Sequence, residues 1–337
     1  MKKIIFIFLI LLIIILNGCQ NKETIAENEV LVIYSPHPLE FIDPIIGEFE
    51  NETGIVVEVV VSGTGELLNR IDSEKDNPVC DVLWGGSLTT IESDKELFEK
   101  YYSKNEDHAI YKNEDGYITR FTMMPSVIMI NSNLIGNIKI EGYKDLLNKK
   151  LKGKIAYADP SKSSSSFEQL LNQLSAMGNG DIYEGWNYIY ELIINLDNNL
   201  LESSSSVYNG VVEGKYIVGL TFEEPAAKFL DDGAPIKIVY PIEGTIFRPD
   251  GVSIIKGTDK YDEAAMFIDF VTSKEIQTFI ATELNRRSAR DDVMQASNLV
   301  PYEDIVLEED DHNYVSIHKD EIIAKYKKLF NQINYNR

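Results

Sequence analysis

VLVIYSPHP (residues 30–38), IVVEVVVSGTGE (55–66) and VCDVLWGGS (79–87) repeat one pattern near the start of the chain. Each begins as a short apolar run rich in β-branched residues and ends in a turn, which is typical of a buried strand. Apolar residues at helical spacing follow the first run over 41–53, and helices are predicted after the other two runs. Strand, turn and helix in three repeats predict an α/β layer on a parallel sheet. Ligands bind such sheets at the carboxyl ends of the strands, where these turns lie.

The same theme continues along the rest of the chain. Extended runs are predicted over 121–130, 154–158, 217–222, 236–240 and 252–256, and helices over 167–177, 183–195, 226–230, 262–282 and 319–333. The serine runs at 163–166 and 203–206 are too short to be linkers. We therefore interpret each of them as a loop at the end of an element.

Length and composition narrow the class of protein. The 337 residues suggest about two domains, and 44% hydrophobic with 26% charged residues is ordinary globular usage. The formal charge of −22 argues against nucleic acid and anionic lipid as partners, since both are bound through Lys and Arg. Two cysteines are too few for a disulfide-rich scaffold or a four-cysteine zinc site.

The N-terminus is typical of a bacterial lipoprotein. Two lysines precede an apolar run of 13 residues (4–16), which is shorter than the roughly 20 residues that span a membrane. The run ends in LNGC (16–19), so we expect removal of residues 1–18 as a signal peptide and attachment of lipid to Cys19. Loss of the two lysines takes the formal charge from −22 to −24. The alternative is a signal peptide that is cut elsewhere and a chance cysteine.

The two cysteines have different predicted roles. Residues 19–29, which begin at the lipidated Cys19, are polar without periodicity and are interpreted as a tether. Cys80 lies in the apolar run 79–84, so we predict a small buried core residue rather than a reactive thiol.

Several turns carry hydroxyl groups just before a predicted helix: Ser35, Ser62, Thr64, Ser87 and Ser163 to Ser166. Helix capping alone would explain each of them, because Ser and Thr are common N-caps. Taken together they predict an anion site, since a helix N-terminus offers unpaired N–H groups and the positive end of a dipole. Such a site holds a phosphate without Lys or Arg.

Two further turns bear on the kind of ligand. The turn SGTGE (62–66) resembles a dinucleotide fingerprint, but its third glycine is missing because position 68 is Leu, and the chain has no phosphate-loop GK[ST] motif. Glu223 and Glu224 follow an apolar strand, where a ligand would approach. One of them binds a ligand amine or hydroxyl opposite the anion, or both simply begin a helix.

A set of motifs resembles one family as a whole. The motifs are YSPHP (34–38), SGTGE (62–66), DVLWGGS (81–87), DPSKSSS (159–165), YPIEGT (240–245), DGVSIIKG (250–257), AAMFIDF (264–270) and LNRRSAR (284–290). They resemble solute-binding lipoproteins of ABC importers, in the ferric-iron, 2-aminoethylphosphonate and sugar-phosphate group of the type II periplasmic binding proteins. The likeness covers residues from about 30 to 330.

The resemblance implies a two-lobed α/β fold, each lobe a mostly parallel sheet flanked by helices, with hinge closure around a ligand in the cleft. The hinge crossovers are expected near 123–131 and 240–249. Lobe 1 is expected to comprise 30–125 and 248–300, and lobe 2 to comprise 130–242 together with the tail 301–337.

The resemblance also implies a set of site residues. Anion contacts fall on Ser35, Thr64, Ser87, Ser164 and Ser165. Glu223 is expected to bind the other end of the ligand, with Ser163 and Glu224 as secondary candidates, while His37 binds the ligand or is satisfied within its turn. Iron-binding members present two adjacent tyrosines after the strand that matches 217–222. This chain has FEEP (222–225) there, which weakens the iron interpretation.

The predicted function is capture of a small phosphorylated or phosphonate solute and its delivery to an ABC permease, with no cofactor, no resident metal and no enzymatic activity. The protein is expected to be an extracytoplasmic monomer anchored through Cys19. Ferric-iron binding is the alternative. A lipoprotein hydrolase or a structural lipoprotein is less favoured, since the chain has four histidines and neither a GxSxG nor an HExxH motif. The cluster of Arg286, Arg287 and Arg290 forms surface salt bridges, or it contacts the cleft or the permease.

Overall fold

A computed structural model describes residues 30–296, 298–308 and 312–335. The predicted signal peptide, Cys19 and the tether lie outside these residues. Within the described ranges, no helix combines the length and the apolar character needed to cross a bilayer.

The described residues form ten strands and ten α-helices, with short 3₁₀ turns between some of them. The strands are β1 Val30–Ser35, β2 Val56–Val61, β3 Val82–Ser87, β4 Phe98–Glu99, β5 Thr119–Asn131, β6 Ile155–Ala156, β7 Val218–Phe222, β8 Ile236–Val239, β9 Phe247–Ile255 and β10 Arg287–Ser288. The helices are α1 Leu39–Thr53, α2 Thr64–Glu74, α3 Leu88–Ile91, α4 Ser164–Met177, α5 Trp186–Leu196, α6 Ser204–Val212, α7 Glu223–Asp231, α8 Tyr261–Val271, α9 Lys274–Glu283 and α10 His312–Tyr335.

The first lobe is built on the strand order β2-β1-β3-β9-β5. Strands β1, β2 and β3 are parallel, as the three sequence repeats predict, with Ile33 opposite Val82. Strands β9 and β5 are antiparallel to their neighbours, so the sheet is mixed rather than parallel throughout. The carboxyl ends of β1 and β3 therefore lie at one edge, where their turns face the second lobe.

Strand β5 passes from one lobe to the other. Its first half pairs with β9 of the first lobe, with Met123 opposite Pro249, and its second half pairs with β7 and β8, with Ile128 opposite Leu220. The chain returns to the first lobe as β9 begins at Phe247. Two crossings of this kind place the turns of both lobes against a common cleft.

Each lobe has its own hydrophobic core. In the first lobe, β1, β3 and β9 pack against α1 and α8, and in the second, β7 packs against α4 and α5. Helix α10 adds Val315, Ile322 and Tyr326 to the second core and also lies next to α3 of the first lobe. Cys80 is buried in the first lobe, as predicted, and burial raises the pKa of its thiol.

The structure corrects two sequence-based assignments. The helix predicted over 262–282 is two helices, α8 and α9, and the hydroxyl of Ser273 between them caps α9 by accepting a hydrogen bond from the backbone N–H of Ile276. The serine runs predicted as loops are the first turns of α4 and α6. Ser163 and Ser203 are their N-caps, and each hydroxyl accepts a hydrogen bond from an N–H three residues ahead.

Candidate functional site

A cavity of about 200 Å³ lies in the cleft between the lobes. Five helices begin at its wall. Pro38 precedes α1, Thr64, Ser164 and Ser204 are the first residues of α2, α4 and α6, and Glu224 is the second residue of α7. No side chain caps α1, α2 or α7. The N-terminus of a helix carries unpaired N–H groups and a partial positive charge, which are the features of an anion site that needs no Lys or Arg.

Two glycines at the end of β3 allow the wall of the cavity to form. Gly85 and Gly86 have φ angles of 110° and 97°, which side chains rarely adopt. A Cβ on Gly85 would lie 2.5 Å from Nε2 of His37, and one on Gly86 would lie 2.6 Å from Cγ2 of Thr64. Glycine is therefore required where β3 approaches the two neighbouring turns.

Two arginines, Arg248 and Arg286, line the cavity, and both are almost completely buried. The expectation of an anion site without Lys or Arg did not include these two side chains. Sequence reasoning did not single out Arg248. The signal was FRPDG (247–251), where an arginine and an aspartate interrupt a run that continues as a buried strand. Buried charges in such a position have partners.

Arg286 connects both lobes at the cavity. Its Nε donates to Oε2 of Glu224 over 2.6 Å, and its Nη1 lies 3.1 Å from Nδ1 of His37 and 3.4 Å from Oδ2 of Asp250. Burial and the charge of Arg286 hold the pKa of His37 well below its usual range, so the imidazole is neutral and accepts from the guanidinium. The guanidinium also lies 4.1 Å from the centroid of the Phe41 ring.

Asp250 lies behind Arg286 and is fully buried. Its Oδ1 accepts hydrogen bonds from the backbone N–H and the hydroxyl of Thr122, at 2.8 and 2.6 Å. Burial raises the pKa of this carboxyl to about 6, and Arg286 and Thr122 oppose that rise. Asp250 therefore changes charge close to neutral pH, beside the cation that lines the cavity.

Glu168 is a second carboxylate that the sequence did not suggest. It lies on α4 in the second lobe and is 3% exposed. Its Oε1 accepts a hydrogen bond from the hydroxyl of Ser87 in the first lobe, and its Oε2 lies 2.7 Å from Nε of Arg248. These contacts join the two lobes across the cavity.

The structure brings together six of the nine residues suggested from the sequence. His37, Thr64, Ser87, Ser164, Ser165 and Glu224 line the cavity, whereas Ser35, Ser163 and Glu223 do not. The hydroxyl of Ser35 donates to the backbone oxygen of Trp84 over 2.7 Å and accepts from the N–H of His37, so it holds the turn in place. Ser163 caps α4.

Glu223 forms a buried ion pair with Arg287. It accepts hydrogen bonds from Nε and Nη2 of Arg287 at 2.8 and 2.7 Å, and another from the hydroxyl of Tyr240. Arg290 is buried as well, with its guanidinium on the carboxylate of Asp292. The arginine cluster is thus internal, and of its three members Arg286 lines the cavity.

The donors in the cavity suit an anion better than a metal ion. Within the described part of the chain, the one group of three or more His, Cys, Asp and Glu residues close enough to share a metal is His108, Asp291 and Asp292, which lies on the surface. The cavity also contains Tyr208, whose pKa is raised by burial and by Glu224.

Comparison with known proteins identifies relatives of the chain. The sequence pattern of one family, described as bacterial extracellular solute-binding protein, matches residues 89–303. The periplasmic binding protein AfuA from Actinobacillus pleuropneumoniae, solved with exogenous fructose-6-phosphate bound, superposes with a TM-score of 0.79. It is 25% identical, and the match covers 89% of this chain and 98% of that one. The superposition confirms the two-lobed α/β fold predicted from the sequence.

Two other relatives have different descriptions. A solved structure described as a two-component system protein that mediates signal transduction is 31% identical, with a TM-score of 0.74 over 83% of this chain and 94% of that one. Iron uptake protein A1 of Synechocystis sp. (strain PCC 6803) is 25% identical over 276 residues, which cover 77% of this chain and 75% of the relative.

Proposed function

The chain belongs to the family of bacterial extracellular solute-binding proteins, and from this membership we propose that it captures a small phosphorylated or phosphonate solute and delivers it to an ABC permease. Proteins of this family bind solutes, so the prediction that the chain is not an enzyme is confirmed. The resemblance seen in the sequence motifs is confirmed as well. The identity of the solute and of its membrane partner is the proposal.

The convergence of five helix N-termini and two buried arginines on one cavity carries the proposal. The chain has a formal charge of −22, so its overall field repels anions. Helix N-termini and arginines gathered at one cavity of such a protein are explained by an anionic ligand. The relative AfuA has fructose-6-phosphate in its structure, which supports phosphate as the anion.

Both ends of the ligand have candidate partners. The phosphate or phosphonate is held by Thr64, Ser164 and Ser165 with the backbone N–H groups of α2 and α4, and by Arg286. Glu224, rather than Glu223, binds an amine or hydroxyl group at the other end, because its carboxylate lines the cavity. Closure of the lobes removes water from these contacts, which strengthens each of them.

The hinge is proposed at residues 123–131 and 240–249. The lobes would then comprise 30–125 with 248–300, and 130–242 with the tail 301–337. The lipid on Cys19 would hold the lobes near the permease through the tether 19–29, and two or more acyl chains suffice for stable anchoring.

A signalling partner is a second candidate. The relative described as a two-component system protein is 31% identical over most of its length. The same captured solute would then be reported to a membrane sensor kinase instead of being delivered to a permease. Deletion of the gene separates the two roles: an importer loses uptake of the labelled solute, whereas a sensor loses the transcriptional response to it.

Ferric iron is less well supported by this site. The relative from Synechocystis is an iron uptake protein. The cavity, however, presents two cationic arginines, which repel Fe³⁺. These groups favour an anion at this position.

Calorimetric titration of the mature chain tests the proposal. The ligands are 2-aminoethylphosphonate, fructose 6-phosphate, inorganic phosphate and ferric citrate. We expect tightest binding by one of the organic phosphorus compounds, with competition by the others. Binding of ferric citrate together with no heat from any phosphorus compound would overturn the proposal.

A further inference from the structure

We propose that Glu168 is an internal anion that occupies two anion-binding groups of the cavity, and that the phosphate of the ligand displaces it. The inference rests on the proposed function, because it concerns the same cavity and the same class of ligand. It adds a residue that sets affinity and selects among anions.

The position of Glu168 on α4 places its carboxylate at the cavity. Glu168 follows Ser164 by four residues and Ser165 by three, and residues at these spacings share one face of a helix. All three line the cavity. The hydroxyls of Ser164 and Ser165, which the family resemblance implies as anion contacts, and the carboxylate of Glu168 therefore face the same cavity.

The partners of Glu168 are groups that a phosphate would use. Ser87 is an anion contact implied by the family resemblance, and its hydroxyl donates to Oε1 of Glu168. Nε of Arg248 lies 2.7 Å from Oε2. Arginine–carboxylate pairs have the same charge and donor pattern as arginine–phosphate pairs, so one anion replaces the other without rebuilding the site.

The charges of the residues that line the cavity indicate that a phosphate replaces the Glu168 carboxylate rather than binding beside it. Among the described residues, the two arginines that line the cavity each meet a second-lobe carboxylate: Arg248 meets Glu168, and Arg286 meets Glu224. A phosphate brings about −1.5 to −2 charges into this balanced site. Of the two carboxylates, Glu168 is the one that the phosphate displaces, because it also accepts the hydrogen bond of the Ser87 hydroxyl. Glu224 lies at the more open edge of the cavity, with 19% of its side chain exposed.

Displacement makes Glu168 a selectivity residue. A ligand anion has to compete with a carboxylate for Ser87 and Arg248. A dianionic phosphate or phosphonate does so better than a monoanionic phosphodiester or another carboxylate, because its charge is larger. The same competition lowers the affinity for every anion and speeds the release of the solute.

The variant Glu168→Gln tests the competition, since it keeps the shape of the side chain and removes its charge. Glu202→Gln is the matched control: it removes one charge from the same lobe, where Glu202 pairs with Lys162 on the surface. The probes are inorganic phosphate and 2-aminoethylphosphonate, titrated by calorimetry. We expect Glu168→Gln to bind both about tenfold more tightly than wild type, as for one charged hydrogen bond. Unchanged or weaker binding in Glu168→Gln overturns the inference.

A second measurement needs no ligand. The contacts of Glu168 join the lobes, so small-angle scattering of the ligand-free protein should show a larger radius of gyration for Glu168→Gln than for wild type and Glu202→Gln. If no phosphorus compound binds any of the proteins, the proposed function fails, and this measurement still decides about Glu168: an unchanged radius overturns the inference.

A milder variant covers the case in which Glu168→Gln does not fold. Glu168→Asp keeps the charge beside Arg248 and shortens the side chain, which withdraws it from Ser87. We expect inorganic phosphate to bind about threefold more tightly than to wild type, because this change corresponds to part of the free energy of one hydrogen bond. Weaker or equal binding again overturns the inference.

Discussion

Arg287 holds Glu223 through two hydrogen bonds, Nε to Oε2 at 2.8 Å and Nη2 to Oε1 at 2.7 Å, in a place almost closed to water. The neighbouring residues repeat the arrangement, since Arg286 holds Glu224. The first pair lies inside the protein, and the second lines the cavity. Two consecutive carboxylates therefore have different tasks, one in stability and one at the site.

Replacement of Glu223 tests this division. The sequence alone predicts that Glu223→Gln weakens a cationic or polyol ligand far more than inorganic phosphate. The structure instead predicts loss of stability by roughly 3–5 kcal/mol, because a buried Arg287 is left without its anion. Urea denaturation measures the loss. A drop in affinity for 2-aminoethylphosphonate alone, with stability unchanged, would restore the first interpretation.

Arg286 is predicted to be essential for binding. Arg286→Gln removes a cation that lines the cavity, so we expect affinity for 2-aminoethylphosphonate or fructose 6-phosphate to fall by about 10- to 100-fold. Arg290→Gln is the control from the same segment, since Arg290 pairs with Asp292 away from the cavity. Equal affinities in calorimetry for the two variants would contradict the assignment.

Gly86 is predicted to be required for the shape of the cavity. In Gly86→Ala, the new methyl group would meet Cγ2 of Thr64 at 2.6 Å, in a backbone conformation with φ of 97°. We expect weaker ligand binding and a loss of stability of about 1 kcal/mol or more. Gly65→Ala is the control, because a Cβ there meets nothing within 4 Å. The prediction fails if both variants melt and bind like wild type.

The raised pKa of the Asp250 carboxyl predicts that the stability of the protein depends on pH. Its pKa is about 6 in the folded protein and 3.8 ordinarily, so between these values the folded state binds more protons than the unfolded state. Stability contributed by this group is therefore present at acidic pH and is lost as pH rises to about 6. The variant Asp250→Asn lacks this loss. Its unfolding free energy, relative to wild type, should rise by roughly 2 kcal/mol from pH 4 to 6.5. If the difference in unfolding free energy between Asp250→Asn and wild type does not change across that pH range, the pKa of Asp250 is not raised by folding.

Cys19 is predicted to anchor the protein. The variant Cys19→Ala removes the thiol that would carry the lipid, so the chain should leave the membrane fraction and fail to incorporate radioactive palmitate. The matched control is Cys80→Ala, since Cys80 is buried in the first lobe. Retention of label in Cys19→Ala would assign the anchor elsewhere.

The sequence by itself predicted the features that depend on residues close together along the chain. Strand, turn and helix follow from local apolar periodicity, and the hydroxyl-bearing turns such as Ser164 and Thr64 follow from the chemistry of helix starts. Both residues line the cavity because each lobe turns the carboxyl ends of its own parallel strands toward the cleft. The family motifs added the two-lobed arrangement, which similarity alone conveys.

Tertiary structure decided which charges meet. Glu223 and Arg287 are 64 residues apart, and Ser87 and Glu168 are 81 residues apart and belong to different lobes. Their pairing depends on where β5 and β9 cross between the lobes, and no local pattern contains that information. Since a buried charge must find a partner, the crossings assigned Glu223 to Arg287 inside the protein and left Glu224, Glu168 and two arginines at the cavity.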